Sequence, residues 1–309
     1  MSFEVDGKQI YNSFMHASEI LQREKDKLNT LNLFPVADRD TGVNMALTIK
    51  KTADHLPDTG TPAEILEAAY LNLLEFSHGN SGTILTLFFG GFRKAIPDKN
   101  IISGRDLAEA IKNGADTAFS GIANPMPGTI LSVASRSAEA GMSMLEITED
   151  AGQIMKRICD EAHAALMQTP FQNQVLMPYQ VVDSGALGFC LVMDGFLSGI
   201  APELHVTPYP ALRLPDGTGS EGSGSDEAVL PYRYCTEFVM NMNAGIVPEI
   251  LRQELQQEAE PLGDYFVLVS SDSLCKVHIH TNIPEKILSI ASGYGTIKSS
   301  KVDDMLQQL

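Results

Sequence analysis

Apolar positions recur at helical spacing through residues 3–199 and change to strict alternation in several segments between 234 and 302. Ile10, Phe14, Ala17 and Leu21, set among charges, predict a long amphipathic helix over 3–29. The same period predicts helices at 42–55, 62–77, 81–94, 104–119, 128–142, 148–167 and 184–199, eight in all. Short breakers such as Pro57-Asp58-Thr59-Gly60 and Asn124-Pro125-Met126-Pro127-Gly128 divide them. Connections this short favour antiparallel neighbours, so the economical arrangement is an up-and-down bundle or barrel of about 200 residues.

Between Pro202 and Pro231 the helical period disappears, and residues 216–226 have the Gly/Ser composition of a flexible linker. A glycine-rich nucleotide loop there is a weak reading, since no helix or Lys-Ser/Thr follows. The last part predicts strand 234–242, helix 247–258, strand 265–271, strand 274–281, helix 284–293 and a strand near 296–302. That β-α-β-β-α-β order is ferredoxin-like and makes the first and third strands neighbours. The expected fold is therefore multidomain: an all-α eight-helix up-and-down barrel over 1–201, a linker over 202–231 and a small α+β domain over 232–309.

In an up-and-down array, alternate connections share an end. One end would hold Asp38-Arg39-Asp40-Thr41-Gly42, His78-Gly79-Asn80-Ser81-Gly82, Gly128-Thr129 and Asp183-Ser184-Gly185, each opening an apolar helix. Helix N-termini offer free N–H groups and partial positive charge, so four converging ones suit phosphates. Asp38 and Asp40, one residue apart, repel by roughly 4 kcal/mol at about 4 Å and an effective dielectric of 20, and a divalent cation relieves this. Oxygen ligands without thiols fit Mg²⁺. The plainer alternative makes Asp40 an N-cap and Asp38 a solvated turn residue.

Composition narrows the partners. Thirty-nine acidic against 22 basic residues, a formal charge of −17, oppose nucleic-acid binding. No apolar run reaches the ~20 residues of a membrane span, and the N-terminus lacks a basic-then-apolar leader, so a cytoplasmic location is expected. Cys159, Cys190, Cys235 and Cys275 have no CxxC spacing and are expected to be reduced. On strand 274–281 a period of two puts His278 and His280 on one face, and Cys235 and Glu237 share a face of strand 234–242. If these strands pair, Cys235, His278 and His280 form a Zn²⁺ set, with Glu237 or water as a fourth ligand. The alternative is a half-solvated sheet face on which Cys235 packs as a small hydrophobe.

The motifs Asn32-Leu33-Phe34-Pro35-Val36, Asp38-x-Asp40-Thr41-Gly42-x-Asn44-Met45, Gly79-Asn80-Ser81-Gly82-x-Ile84-Leu85, Gly128-Thr129-Ile130-Leu131 and Val182-Asp183-Ser184-Gly185 resemble the nucleotide-binding domain of dihydroxyacetone kinases. The form is that of the bacterial fatty acid kinase catalytic subunit, whose middle domain is similar to Tyr234-Cys235-Thr236-Glu237-Phe238 and Lys276-Val277-His278-Ile279-His280-Thr281-Asn282. The resemblance implies an α-helical barrel that binds ATP and Mg²⁺ and phosphorylates a fatty acid carboxylate held by a separate fatty-acid-binding protein. It implies that Asp38 and Asp40 bind Mg²⁺. Around the nucleotide it places Asn44, Asn80, Ser81, Gly82, Gly128, Thr129 and Asp183, with Asn32 near the metal, and it supports Zn²⁺ at Cys235, His278 and His280. The alternatives are a dihydroxyacetone-type acceptor, a regulatory or adaptor subunit that binds nucleotide without turnover, and an ADP-containing phosphotransfer subunit. A homodimer is compatible with the resemblance. Three departures stand out: Arg39 replaces the Gly between the aspartates, His78 replaces an Arg, and the chain ends at Leu309 without the family's C-terminal domain.

Overall fold

The eight apolar stripes close on one another. The computed structural model describes residues 4–33, 39–208, 210–215 and 231–307. Its helices are α1 (Gly7–Leu31), α2 (Thr41–Asp54), α3 (Pro62–Phe76), α4 (Gly79–Lys94), α5 (Gly104–Gly121), α6 (Ile130–Met144), α7 (Ala151–Leu166), a single turn α8 (Thr169–Gln172) and α9 (Ser184–Ile200). Each long helix packs on its sequence neighbours and α9 lies along α1, so the predicted bundle is a closed ring. The long predicted helices are all present, and α8 is an extra turn within the connection before α9.

Closure depends on small residues. A Cβ at Gly195 would lie 2.4 Å from the Ala17 Cα, and one at Gly199 would lie 2.4 Å from the Ser13 amide nitrogen. Helices α1 and α9 therefore touch backbone to backbone. Around that contact Phe14 stacks on Phe89 and Phe196 with ring centroids 5.0 and 5.1 Å apart.

The helix starts divide by end. At one end α1, α3 and α5 begin with capping boxes built on Asp6, Thr61 and Ser103, and Asp150 caps α7. At the other end the N-cap residues Asp40, His78 and Thr129 of α2, α4 and α6 make no side-chain cap. A start without a cap of its own leaves its first amide N–H groups to be met by other partners.

The α+β part comprises β1 (Tyr234–Met242), α10 (Pro248–Ala259), β2 (Gly263–Ser270), β3 (Leu274–Thr281), α11 (Pro284–Ala291) and β4 (Gly295–Asp304). The sheet order is β2-β3-β1-β4 with every pair antiparallel, which matches the ferredoxin-like expectation and sets β1 beside β3. Phe238, Met240, Leu251, Val277, Ile279 and Ile287 form its own core. Val267 and Val269, by contrast, belong to the apolar core of the helices. Polar links reinforce that seam. The Tyr70 hydroxyl donates to the Ser270 carbonyl at 2.6 Å, Lys298 reaches Glu75 at 2.6 Å, and buried Lys276 donates to the Ser77 carbonyl. Among the described residues no helix is long and apolar enough to cross a membrane. The predicted linker at 216–226 lies outside the described residues.

Gly195→Ala should push α9 off α1. A loss of about 1–3 kcal/mol, the usual range for overpacking, is expected in urea denaturation; an unchanged midpoint would show that the seam has room.

Candidate nucleotide and metal site

Two cavities lie at the end where the helix starts are uncapped. The larger, about 190 Å³, has a polar wall of Thr41, Asn80, Ser81, Thr129 and Asp183 and an apolar one of Ile84, Ile122, Met126 and Leu131. The smaller, about 50 Å³, shares Thr41, Asn80 and Ser81 with it. That second cavity has Asn32, Asp40, Asn44 and Gly79 on the helical side, and Cys235, His278, His280, Lys301 and Asp303 on the sheet side.

The loop before α2 answers the question whether Asp40 is merely an N-cap. Its side chain makes no cap hydrogen bond. The amides it would serve are taken by α1 and the residue that follows it: Asn32 Oδ1 accepts from Thr41 N at 2.9 Å and Asn29 Oδ1 accepts from Val43 N at 3.1 Å. Asp40 thus lines the cavity as a carboxylate not used in capping. Arg39 has φ 57, a left-handed conformation. That is the conformation for which glycine is suited, and an Arg there costs about 1–2 kcal/mol. Asp38 lies outside the described residues.

At the start of α4, Gly79 also has a positive φ, 64, and a Cβ there would be 2.6 Å from Asn44 Nδ2. Asn44 can press against the turn because Gly79 has no side chain. Burial and then Lys276 lower the pKa of His78, so at neutral pH it carries no charge where an Arg would. Lys301, paired with Asp303 at 2.5 Å, is the cation on the opposite wall.

Asp183 joins two helix starts. Its carboxylate accepts from the Ala186 amide at 2.7 Å, capping α9, and from the Ile130 amide at the start of α6. Burial pushes its pKa up to about 7 against those two bonds. Gly82 and Gly128 do not face either cavity. A Cβ on Gly82 would meet Thr48 at 2.8 Å and one on Gly128 the Asn173 amide at 2.8 Å, so both serve close packing behind the loops. Thr129 does line the larger cavity, its hydroxyl donating to the Met126 carbonyl at 2.8 Å.

The β1–β3 register sets Cys235 opposite His280 and Glu237 opposite His278. One ligand atom each from Cys235, His278 and His280 lies within 4.8 Å of the others. His278 Nε2 is 3.3 Å from His280 Nε2, and Cys235 Sγ is 3.9 and 4.0 Å from the two His278 ring nitrogens. Tetrahedral Zn²⁺ with its usual bond lengths would set such atoms about 3.3–3.8 Å apart, a spacing the two histidines have and the thiol exceeds slightly, and thiolate with imidazole is a donor set suited to that ion. Glu237 stands outside these three donors: its Oε1 sits 2.9 Å from His278 Nδ1 and orients the ring. Asp264 Oδ1 stands 3.5 Å from His280 Nδ1 without a hydrogen bond between them. Burial alone would raise the Glu237 pKa, but Lys276 and His278 outweigh it and hold it at about 2. Burial and then His278 hold the His280 pKa down, whereas Cys235 and Glu237 raise that of His278 against its burial.

Sequence reasoning missed Lys276 and the 264–267 segment. The first was legible, because Lys276, His278 and His280 share one face at a period of two. The second lines the cavity only through an irregularity in β2 that no residue pattern announces.

Residues 35–198 match the model of the DAK2 domain, and residues 231–309 match that of the FakA-like middle domain of fatty acid kinase. The chain belongs to the DAK2 domain family. An uncharacterized protein of Staphylococcus saprophyticus is 31% identical over 314 residues, covering 100% of this chain and 56% of its own length. Protein YloV of Bacillus subtilis is 31% identical over 311 residues, covering 98% of this chain and 56% of its own length. The chain thus spans a little over half the length of these relatives. Within the DAK2 match the site end carries Asp40, Asn44, Asn80, Ser81, Thr129 and Asp183; within the middle-domain match stand Cys235, His278 and His280.

Asp183 gives a prediction with a definite sign. Its folded-state pKa is raised above the unfolded value, so its contribution is fully present below about pH 4 and is lost as pH rises through about 7. Asp183→Asn keeps an oxygen acceptor and never ionises. The variant should match wild type in thermal melting near pH 4 and exceed it near pH 8, by up to about 4 kcal/mol. A wild-type protein that is the more stable of the two at pH 8 would contradict this.

Proposed function

We propose that this chain is an ATP- and Mg²⁺-dependent kinase component that transfers the γ-phosphoryl group to a carboxylate, that of a fatty acid held by a separate lipid-binding protein. The observation that carries the reading is the start of α4, whose N-cap residue makes no side-chain bond, opening beside that of α6 on a cavity lined by Asn80, Ser81 and Thr129, with Asp40 beside them. Phosphate oxygens would supply the acceptors that the N-cap residues withhold. The membership in the DAK2 family and the FakA-like middle domain support the same choice.

In this reading Asp40, with Asp38, would hold Mg²⁺, and the ion would neutralise the charge of the phosphates. The helix starts orient the phosphates, and Asn44, held against Gly79, orients the loop between them. A carboxylate acceptor is already ionised near pH 7 and needs no base, so positioning and electrostatics suffice. The bond from the γ-phosphorus to ADP breaks as one acceptor oxygen forms its own, giving an acyl phosphate. Cys235, His278 and His280 would hold Zn²⁺ on the facing wall, with Glu237 orienting the His278 imidazole. A second reading, a protein that binds nucleotide with little turnover, is favoured by the strained Arg39 between the aspartates.

Calorimetry with ATP, with and without Mg²⁺, followed by ATP consumption with lipid-binding partners, tests the proposal. Asp40→Ala should weaken Mg²⁺-dependent binding by more than the about 10–100-fold expected for an outer-shell change. Arg39→Gly should tighten it and raise turnover. Unchanged affinity in the first variant removes the site, and weaker binding in the second makes Arg39 a phosphate ligand.

Elemental analysis of protein purified without a histidine tag should find about one Zn²⁺ per chain, lost in His278→Ala and Cys235→Ser. Metal-free protein that folds and resists loading would return the three residues to a packing role.

A further inference from the structure

The larger cavity is closed on one side by the other domain. Asp264, Tyr265, Phe266 and Val267, four consecutive residues of β2, all line it. In a regular strand successive side chains face opposite sides. Phe266 and Val267 keep that alternation, packing into the α+β core and the helical core respectively, but the register with β3 slips between Asp264 and Val267 and Tyr265 takes φ 51. An aromatic residue in that conformation is strained, and such strain persists where the surroundings impose it, often at ligand sites. The irregularity re-aims a side chain in the manner of a bulge. Tyr265 is 37% exposed, so part of its ring is uncovered.

The chemistry of the walls defines the ligand. Asn80, Ser81 and Thr129 make one end polar, beside uncapped helix starts, while Ile84, Ile122 and Met126 make the other apolar. A molecule with an anionic chain and a flat, weakly polar ring system fits such a division. We infer that Tyr265 is a nucleoside-binding residue whose ring covers the base, so that the second domain sets the preference for a nucleotide over a bare phosphate chain. The inference rests on the nucleotide reading above and adds to it the residue that reads the base. The His280 ring packs against this one, with 4.9 Å between centroids.

The test titrates the full chain with ATP and with inorganic tripolyphosphate, each with Mg²⁺. Tyr265→Ala should weaken ATP about tenfold, in line with loss of one base–aromatic stack, and leave tripolyphosphate unchanged. Tyr265→Phe should retain ATP affinity. Because the sequence contains no tryptophan, Tyr265→Trp installs a single indole emitter, and its fluorescence should change with ATP and adenosine but not with tripolyphosphate. Equal ATP affinity in Tyr265→Ala and wild type overturns the inference, as does an equal loss for ATP and tripolyphosphate, which would mark a structural role. Should the alanine variant fail to fold, indole emission in Tyr265→Trp that is indifferent to ATP while calorimetry registers binding overturns it as well. Wild-type protein without affinity for ATP would defeat the nucleotide reading itself, and this one with it, whereas normal ATP binding with an indifferent Tyr265 defeats only this one.

Discussion

Helices that alternate in direction and close a ring must start four of their number at the same end, and every start leaves amide groups that need acceptors. The two ends of this barrel meet that demand differently. At one, Asp6, Thr61, Ser103 and Asp150 cap their own helices. At the other, a single buried carboxylate, Asp183, serves α9 and α6 together, and Asn29 and Asn32 reach across to α2. The capping work is shifted onto neighbours, which leaves Asp40 available and the first turns of α4 and α6 facing a cavity. Position, polarity and charge of the candidate site all follow from that redistribution.

The second domain is held over this end by a buried ammonium. Lys276, 3% exposed in its side chain, lies 3.6 Å from Glu237 and donates to the Ser77 carbonyl at the end of α3. A buried cation needs both a counter-charge and hydrogen-bond acceptors, and it finds one in each domain. Glu237 also orients His278, so one carboxylate serves the domain seam and the Cys235–His278–His280 cluster at once. The Ser77 carbonyl lies just before the loop that opens α4, which ties the position of the cluster to that of the helix start.

Much of this is legible in the residues. Periods near 3.6 and 2 separate the helical part from the α+β part, and the alternation of direction sorts the loops by end without knowledge of any contact. Cross-strand pairing follows from the β-α-β-β-α-β order, and with it the meeting of Cys235, His278 and His280. The orienting role of Glu237 is not legible, because a shared face does not say whether a carboxylate points at the metal or at the ring beside it. Gly82 and Gly128 resemble nucleotide contacts in their motifs, yet their spacing carries no information about which neighbour, α2 or the segment around Asn173, needs the room. The positive φ of Arg39 is readable only as a conflict with the family's glycine. Nothing in the order of residues foretells that Val267 and Val269 join the helical core.

That last feature separates two senses of the word domain. Residues 199–230 separate the two pieces that different family models recognise. The packing draws no such line, since two valines of β2 complete the apolar interior of the helices and Lys276 leans on a carbonyl of α3. A cut in that stretch would leave the helical piece with an open apolar seam and the other with an ammonium stripped of one acceptor. The two modules are divided in sequence and cohesive in space, so they are expected to melt as one cooperative unit.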